Sequence, residues 1–490
     1  MIALKELNFS YEDETEGSLK GINLEVKDGE CVLLCGRSGC GKTTITRFIN
    51  GLIPNFFTGK ASGSAVVDGM NPMEVPMYEI ATRVGSVFQN PRTQFFNVDT
   101  DSEIAFGIEN EALPPVELHK RLENTSAALK IAPLRGRNIF ELSGGEKQKI
   151  AFASIYAMNP DVYLLDEPSS NLDMKAIQNL KEQLRIIKAQ GKTILITEHR
   201  LYYLMDLVDR IIYLSQGEIE QIYTPQSFQL LPDAARKEMG LRAVSLDRVH
   251  PALQQPANLS PLLEIRNVAL HYKKKVIMEQ ISLKASKGEI IGIVGHNGAG
   301  KTTFLRTLCG LHKGYTGDFL WNQTVEPPKE REKHSYMVMQ DVNYELFAET
   351  VEAECSLGIR NPDLAAVDNT LEELDLSAFR KRHPNTLSGG QKQRVAVAVS
   401  MICQKELLVF DEPTSGLDFD SMEQVSKLIR KLAENKIVFV VTHDYEFVCQ
   451  TCSRVIHMDK GTMAEDLPLS PKNEERIRSI FDLDTNREVK

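Results

Sequence analysis

GRSGCGKTT occupies residues 36–44, and GHNGAGKTT occupies residues 295–303. Both fit G-x-x-x-x-G-K-[ST], through Gly36, Gly41, Lys42 and Thr43 in the first copy and Gly295, Gly300, Lys301 and Thr302 in the second. Glycines in such a loop let backbone N–H groups crowd round phosphate oxygens, and the helix that follows turns its positive end toward them. The lysine reaches the outer phosphates, and the threonine hydroxyl takes Mg²⁺. Ser38, Gly39 and Thr44 complete the first cradle, as Asn297, Gly298 and Thr303 complete the second. An apolar run precedes each loop (CVLLCG at 31–36, IIGIVG at 290–295), as a buried parallel strand reads. A helix-compatible segment follows each (TTITRFINGL, TTFLRTLCGL). With strand, loop and helix in place twice, the pattern is a nucleotide-binding one rather than a Gly-rich turn.

The chain around these loops has 490 residues, enough for about three domains by length alone, or for two larger α/β domains. Its composition is that of a globular protein, 42% hydrophobic and 25% charged. A net charge of −10 argues against a sequence-independent grip on nucleic acid. No apolar run approaches the roughly 20 residues that cross a bilayer, and MIALKELNFSYEDE has no apolar core of a signal peptide. An intracellular protein, at most peripheral to a membrane, is expected. Eight cysteines are scattered through apolar stretches, as suits a reducing compartment. Cys449 and Cys452 form a C-x-x-C in the helical stretch YEFVCQTCSRV with no second pair, so two packed thiols are expected rather than a metal or redox site.

The repeat extends well beyond the loops. LSGGEKQKIA (142–151) matches LSGGQKQRVA (387–396), VYLLDEPSSNLD (162–173) matches LLVFDEPTSGLD (407–418), and TILITEH (193–199) matches IVFVVTH (437–443). Ser143 precedes Asp166 by 23 residues, and Ser388 precedes Asp411 by 23. The stretch between phosphate loop and LSGG differs most in length, so a nearly fixed sheet core carries a variable, mostly helical insert. Two domains are expected at 1–222 and 262–465. Between them, 223–261 reads as a linker with five prolines in TPQSFQLLPDAARKEMGLRAVSLDRVHPALQQPANLSP, and 466–490 as a charged tail with a short helix.

Each half ends an apolar strand with DE, Asp166–Glu167 and Asp411–Glu412. Beside a phosphate loop, the first carboxylate holds Mg²⁺ through water, and the second orients or deprotonates the attacking water. His199 and His443 end the next strand, 33 and 32 residues after the aspartates, where an imidazole can contact the γ-phosphate. Gln89 and Gln340 end short apolar stretches (RVGSVFQ, SYMVMQ), and a neutral amide there can bind Mg²⁺ or water without adding charge. Tyr11 (NFSY) and Tyr272 (ALHY) can stack on adenine, since any base offers a π-face. LSGGxKQ sets Ser143, Gly144 and Gly145, and again Ser388, Gly389 and Gly390, at a helix start, a second phosphate-cradling device. A second domain turned head to tail could present it to the far side of a nucleotide, giving two composite sites.

Phosphate loop, glutamine, LSGGxKQ, DE strand and histidine in this order resemble the ATP-binding cassette (ABC) ATPases over nearly the whole chain outside linker and tail. The resemblance implies two tandem α/β P-loop NTPase domains of ABC type, each a mixed sheet core with a helical subdomain. It implies that they pair head to tail round ATP and Mg²⁺ and move partner proteins by hydrolysis. VFQNPRTQFFNVDTDSEIAFGIEN is similar to the ATPases of energy-coupling-factor importers of vitamins and transition-metal ions, with Pro91 and Gln94 on the glutamine-loop helix. That likeness implies integral membrane partners, a coupling protein and a substrate-binding membrane protein, no nucleic acid, and a peripheral place on the cytoplasmic face of the plasma membrane. The sequence departs from that pattern at Arg92, where an acid is usual, and at Glu345, where a glutamine is common. The fused format is similar to a subgroup linked to thiamine-precursor uptake. Two other readings are fused sugar-import ATPases and soluble twin-cassette ribosome-associated factors. The latter usually carry a long charged arm and NHLD where this chain has NLD and GLD.

Overall fold

The computed structural model describes residues 1–12, 18–252, 260–273, 275–359, 361–387 and 389–483. The chain divides into two compact units near Ser245 and Leu246.

In the first unit a six-stranded sheet runs Val84–Val87, Val162–Asp166, Thr193–Thr197, Cys31–Gly36, Arg210–Ser215, Glu218–Tyr223 from edge to edge. The first five strands are parallel and the last is antiparallel. Cys31–Gly36 and Thr193–Thr197 are buried along their whole length, which is why CVLLCG and TILIT read as unbroken apolar runs. Leu19–Val26, Ile2–Tyr11 and Gly59–Val67 form a separate antiparallel sheet. Its alternating Ile2, Leu4, Ile22 and Leu24 share one core with Val32, Leu34 and Phe48. A helical layer of Thr100–Glu109, Pro115–Ala128 and Gly144–Met158 completes the unit.

The second unit repeats the plan. Its sheet runs Ser335–Val338, Leu407–Asp411, Ile437–Val441, Ile290–Val294, Arg454–Asp459, Thr462–Pro468, again with only the last strand antiparallel. The antiparallel sheet is Lys275–Ala285, Leu263–Tyr272, Tyr315–Trp321 and Thr324–Val325. The insert is shorter: Val351–Ser356 has 6 residues where Thr100–Glu109 has 10, and Leu364–Glu373 has 10 where Pro115–Ala128 has 14.

Parallel strands all end at one edge, so residues far apart in sequence meet there. Asp166 stands opposite Thr197 in register, and Asp411 opposite Val441. The 223–261 segment begins on the last strand of the first sheet and carries helices Pro225–Gln229 and Asp233–Glu238. Beyond Leu246 it lies on the second unit. His250 Nδ1 is 2.7 Å from Glu474 Oε1, Arg478 donates to Leu246 O (2.9 Å) and pairs with Asp247, and Ala252 N donates to Cys449 O (2.9 Å). The expected tail helix spans Glu474–Ile480, after a strand that runs through to Pro468. Residues 253–259 of the linker and 484–490 of the tail lie outside the described residues.

Candidate functional site

Each phosphate loop leaves its central strand through a glycine that nothing larger can replace. Gly36 (φ +148°) and Gly295 (φ +143°) lie so close to the neighbouring strand that a Cβ would sit 2.2 Å from Leu214 O and 2.0 Å from Met458 O. Gly41 (φ +104°) and Gly300 (φ +96°) then open helices Lys42–Ile49 and Lys301–Leu308. Gly39 and Gly298 also take positive φ. Lys42 Nζ bridges Gly36 O and Arg37 O (2.9 Å each), and Lys301 Nζ bridges Gly295 O (2.7 Å) and His296 O (3.0 Å). Both ammonium groups are thus fixed across the loop mouth. Ser38 is exposed, Thr44 is buried under Tyr11, and the Thr303 carbonyl accepts from Thr307 Oγ1.

The threonine after each lysine meets the first strand-end acid. Thr43 Oγ1 donates to Asp166 Oδ1 at 3.2 Å, and Thr302 Oγ1 to Asp411 Oδ2 at 2.9 Å. Burial lifts the Asp166 carboxyl, Glu167 adds to the lift, and Thr197, Thr43 and Lys42 oppose it. Burial lifts Asp411 against Thr302, Lys301 and Arg306. A carboxylate beside a hydroxyl, half-buried at Asp166 and buried at Asp411, is a hard oxygen pair that fits Mg²⁺, an ion that keeps several of its waters.

The second acids are held differently. Glu167 (φ +46°) and Glu412 (φ +53°) both take left-handed backbone, rare for a residue with a Cβ and found where the surroundings enforce it. Glu167 N is anchored on Thr197 O (3.0 Å), and Glu412 N on Val441 O (2.9 Å). Glu167 Oε1 lies 3.1 Å from His199 Nε2, and Glu412 Oε1 lies 3.4 Å from His443 Nε2. Burial pushes the Glu167 carboxyl up, but His199 and Lys42 outweigh it and hold it below the usual carboxylate range. It is therefore an ionised base at neutral pH.

Gln89 is brought into this group: its Nε2 donates to Glu167 Oε2 at 2.7 Å. Gln340 is exposed. Gln94 makes two internal bonds. Its Oε1 accepts from Phe88 N (3.3 Å), and its Nε2 donates to Ser86 O (3.1 Å). It clamps the Gln89 loop to the strand it leaves, while the neighbouring Phe96 is 75% exposed.

Ser143 caps helix Gly144–Met158 in a capping box with Glu146, which also takes Arg137. Gly144 and Gly145 form the first turn of that helix, as Gly389 and Gly390 do in the second unit, and Ser388 lies outside the described residues. Tyr11 is half-buried against Phe9 and Phe57, with its hydroxyl on Thr44 Oγ1 (3.2 Å) and Arg47 Nη1 (2.9 Å), whereas Tyr272 is 62% exposed.

Two site residues escaped the sequence reading. Thr197 Oγ1 donates to Asp166 Oδ1 at 2.5 Å but sits in TILIT as one more strand residue. Glu198 is buried and accepts from Ser169 N (3.2 Å), His199 N (2.9 Å) and Tyr203 Oη (2.9 Å), joining the histidine to the segment after the DE pair. An acid inside an otherwise apolar run was the available signal. The cysteines are all free, Cys40, Cys449 and Cys452 among the buried ones. Among the described residues, no group of three His, Cys, Asp or Glu is placed to hold a metal ion, and no helix is long and apolar enough to cross a membrane.

The family model described as ABC transporter matches residues 19–170 and again 278–415. A protein of Treponema denticola assigned as an ABC transporter ATP-binding protein is 49% identical over 97% of this chain and 98% of its own length. One of Methanosarcina mazei with the same assignment is 32% identical over 95% of each. Among solved structures, one named RNase-L Inhibitor shares the fold at TM-score 0.65 and 23% identity, over 97% of this chain and 93% of that one. With a family match in each half and relatives aligned from end to end, the chain belongs to the ABC transporter family, as a fused twin-cassette ATPase subunit.

Proposed function

We propose that this ATPase subunit binds and hydrolyses ATP at two sites and drives an importer of the energy-coupling-factor type for a vitamin or a transition-metal ion. The observation that carries the hydrolytic part is the duplicated Thr–Asp and Glu–His geometry at the strand ends. In each unit the lysine and the loop N–H groups grip the phosphates. Thr43 with Asp166, and Thr302 with Asp411, are the groups that would hold Mg²⁺, and Gln89 and Gln340 lie on loops that reach the same edge. The bound ion supplies charge neutralisation at the outer phosphates. Glu167 and Glu412 accept the proton of the attacking water, and His199 and His443 steady the γ-phosphate end. Tyr11 and Tyr272 receive the base.

The importer reading rests on the likeness of VFQNPRTQFF to coupling-factor ATPases. It places the subunit on the cytoplasmic face of the plasma membrane, bound to a coupling protein and a substrate-binding membrane protein. Affinity purification of the tagged chain from solubilised membranes tests it. Co-purification of two integral membrane proteins supports the reading. Permease subunits of a sugar importer, or ribosomal subunits, in their place would overturn it.

A further inference from the structure

The two glutamine loops are fastened by different side chains at one structural position. Strands Val84–Val87 and Ser335–Val338 pair in the same register with the strands that end in Asp166 and Asp411. Phe88 therefore corresponds to Met339, Ser86 to Met337, and Gln94 to Glu345, six residues after Phe88 and Met339 respectively. Gln94 makes two bonds, accepting from Phe88 N and donating to Ser86 O. Glu345 reproduces only the first, with Oε1 accepting from Met339 N. Its other oxygen, Oε2, is buried without a hydrogen-bond partner. An unpaired buried carboxylate oxygen is costly, whereas a protonated one is a donor with the chemistry of the Gln94 amide.

We propose that Glu345 is a positioning residue that holds the Gln340 loop in its neutral acid form, its Oε2–H donating to the Met337 carbonyl as the Gln94 amide donates to Ser86. Loss of that proton to solvent breaks this bond and loosens the loop of the second unit, while the first unit's clamp stays unchanged.

The surroundings favour the neutral form. Facing Glu345 are acids from every side: Glu354 from helix Val351–Ser356, Asp341 from its own loop, and Asp411 from the end of strand Leu407–Asp411. The half-buried Tyr336 phenol is pushed up by desolvation first and by Glu345 next. From helix Gly389–Ile402, Lys392 is taken by Asn343 Oδ1 at 2.8 Å. Burial first, then Glu354, Asp341 and Asp411, push the Glu345 carboxyl up to about 8 against the Met339 N–H bond. In an opened loop it returns to the ordinary carboxylate range. The clamped loop thus binds the proton more tightly than the open one, and the clamp weakens as pH rises from the ordinary range toward about 8, levelling off above it.

Hydrogen exchange of the full-length, nucleotide-free protein reads this directly and does not depend on ATPase or transport activity. Protection of residues 339–348, corrected for the intrinsic exchange rate, is compared between the wild type and Glu345→Gln at pH 6 and pH 9. Relative to the glutamine variant, the wild type should lose protection on the order of ten- to a hundredfold between the two values. Gln94→Glu should carry the same pH sensitivity into residues 88–97, which keeps the idea testable if Glu345→Gln folds poorly. A wild-type to Glu345→Gln ratio that is the same at both pH values would overturn the proposal, as would looser exchange in Glu345→Gln at pH 6.

Discussion

His443 Nε2 lies 3.0 Å from Asn297 Oδ1, so the imidazole of the second unit is tied to its phosphate loop as well as to Glu412. The amide oxygen can only accept, which places the proton on Nε2, toward the loop. In the first unit the loop residue at this position is Ser38, too short for the same reach, and His199 faces Glu167 at 3.1 Å. The two halves hold the same histidine by different means.

Removing that tie should therefore affect one site only. Asn297→Ala is expected to lower steady-state ATP turnover by up to about half, because one hydrogen bond of roughly 1 kcal/mol orients only the second histidine. Ser38→Ala should leave turnover near wild type. Equal losses in the two variants would show that Asn297 acts through the loop in general.

The strand-end glutamates admit a sharper test. Glu167→Gln combined with Glu412→Gln should bind ATP and hydrolyse it ~10²–10⁴-fold more slowly, the usual loss for a general base. Binding is read by fluorescent-nucleotide titration and turnover by phosphate release. Near-normal turnover in the double variant would remove both carboxylates from that role.

Cys40 lies inside the first phosphate loop, where a helix start and Lys42 favour a reactive thiolate by sequence alone. The structure corrects that expectation. The sulfur is buried in the core with Lys42 Nζ only 3.9 Å away, and a Cβ on Gly36 would touch it. Alkylation of the native protein should be slow, comparable with Cys35 and Cys31, and should become fast in denaturant. Mass-spectrometric labelling at timed intervals distinguishes this from a rapidly modified, ATP-protected thiol.

Gln94→Ala removes both ends of a clamp. A loss of roughly 1–3 kcal/mol is expected in the local stability of the Gln89 loop, from two part-buried bonds. Hydrogen exchange over residues 86–97 measures it. Partner affinity should fall only as far as the loop loosens, and full affinity with a loosened loop would separate docking from loop order.

The composite-site arrangement is tested by two double variants. If Lys42 and Ser388 serve one nucleotide, Lys42→Ala with Ser388→Arg should be little worse than either alone, because residues acting as a unit are strongly non-additive. Lys42→Ala with Ser143→Arg should abolish turnover. Indistinguishable rates in the two, with each single variant active and folded, would reject cross-pairing.

Much of this was legible in the sequence because the chemistry is local there. Glycine spacing, continuous apolar strands and the terminal DE pair specify the loop, the sheet and the acid edge without long-range information. The left-handed backbone at Glu167 and Glu412 was not legible, since it comes from anchoring on the next strand rather than from residue type. Nor was the inward turn of Gln94, because an amide on a short helix reads alike whether it faces a partner or its own strand. Thr197 was hidden for a related reason: in an all-buried strand a threonine is isosteric with valine, as Val441 shows at the same register position.

The tight seat of Gly36 against Leu214, and of Gly295 against Met458, changes how genetic data on this chain should be read. A side chain at either position collides with the neighbouring strand's carbonyl before any phosphate arrives. Alleles altered there should show up as scarce protein in cells, cleared by proteolysis, rather than as abundant protein that fails to bind nucleotide. Abundance measured beside activity would sort lesions of the scaffold from lesions of the chemistry, and Lys42 and Lys301, whose ammonium groups bridge loop carbonyls, belong with the second kind.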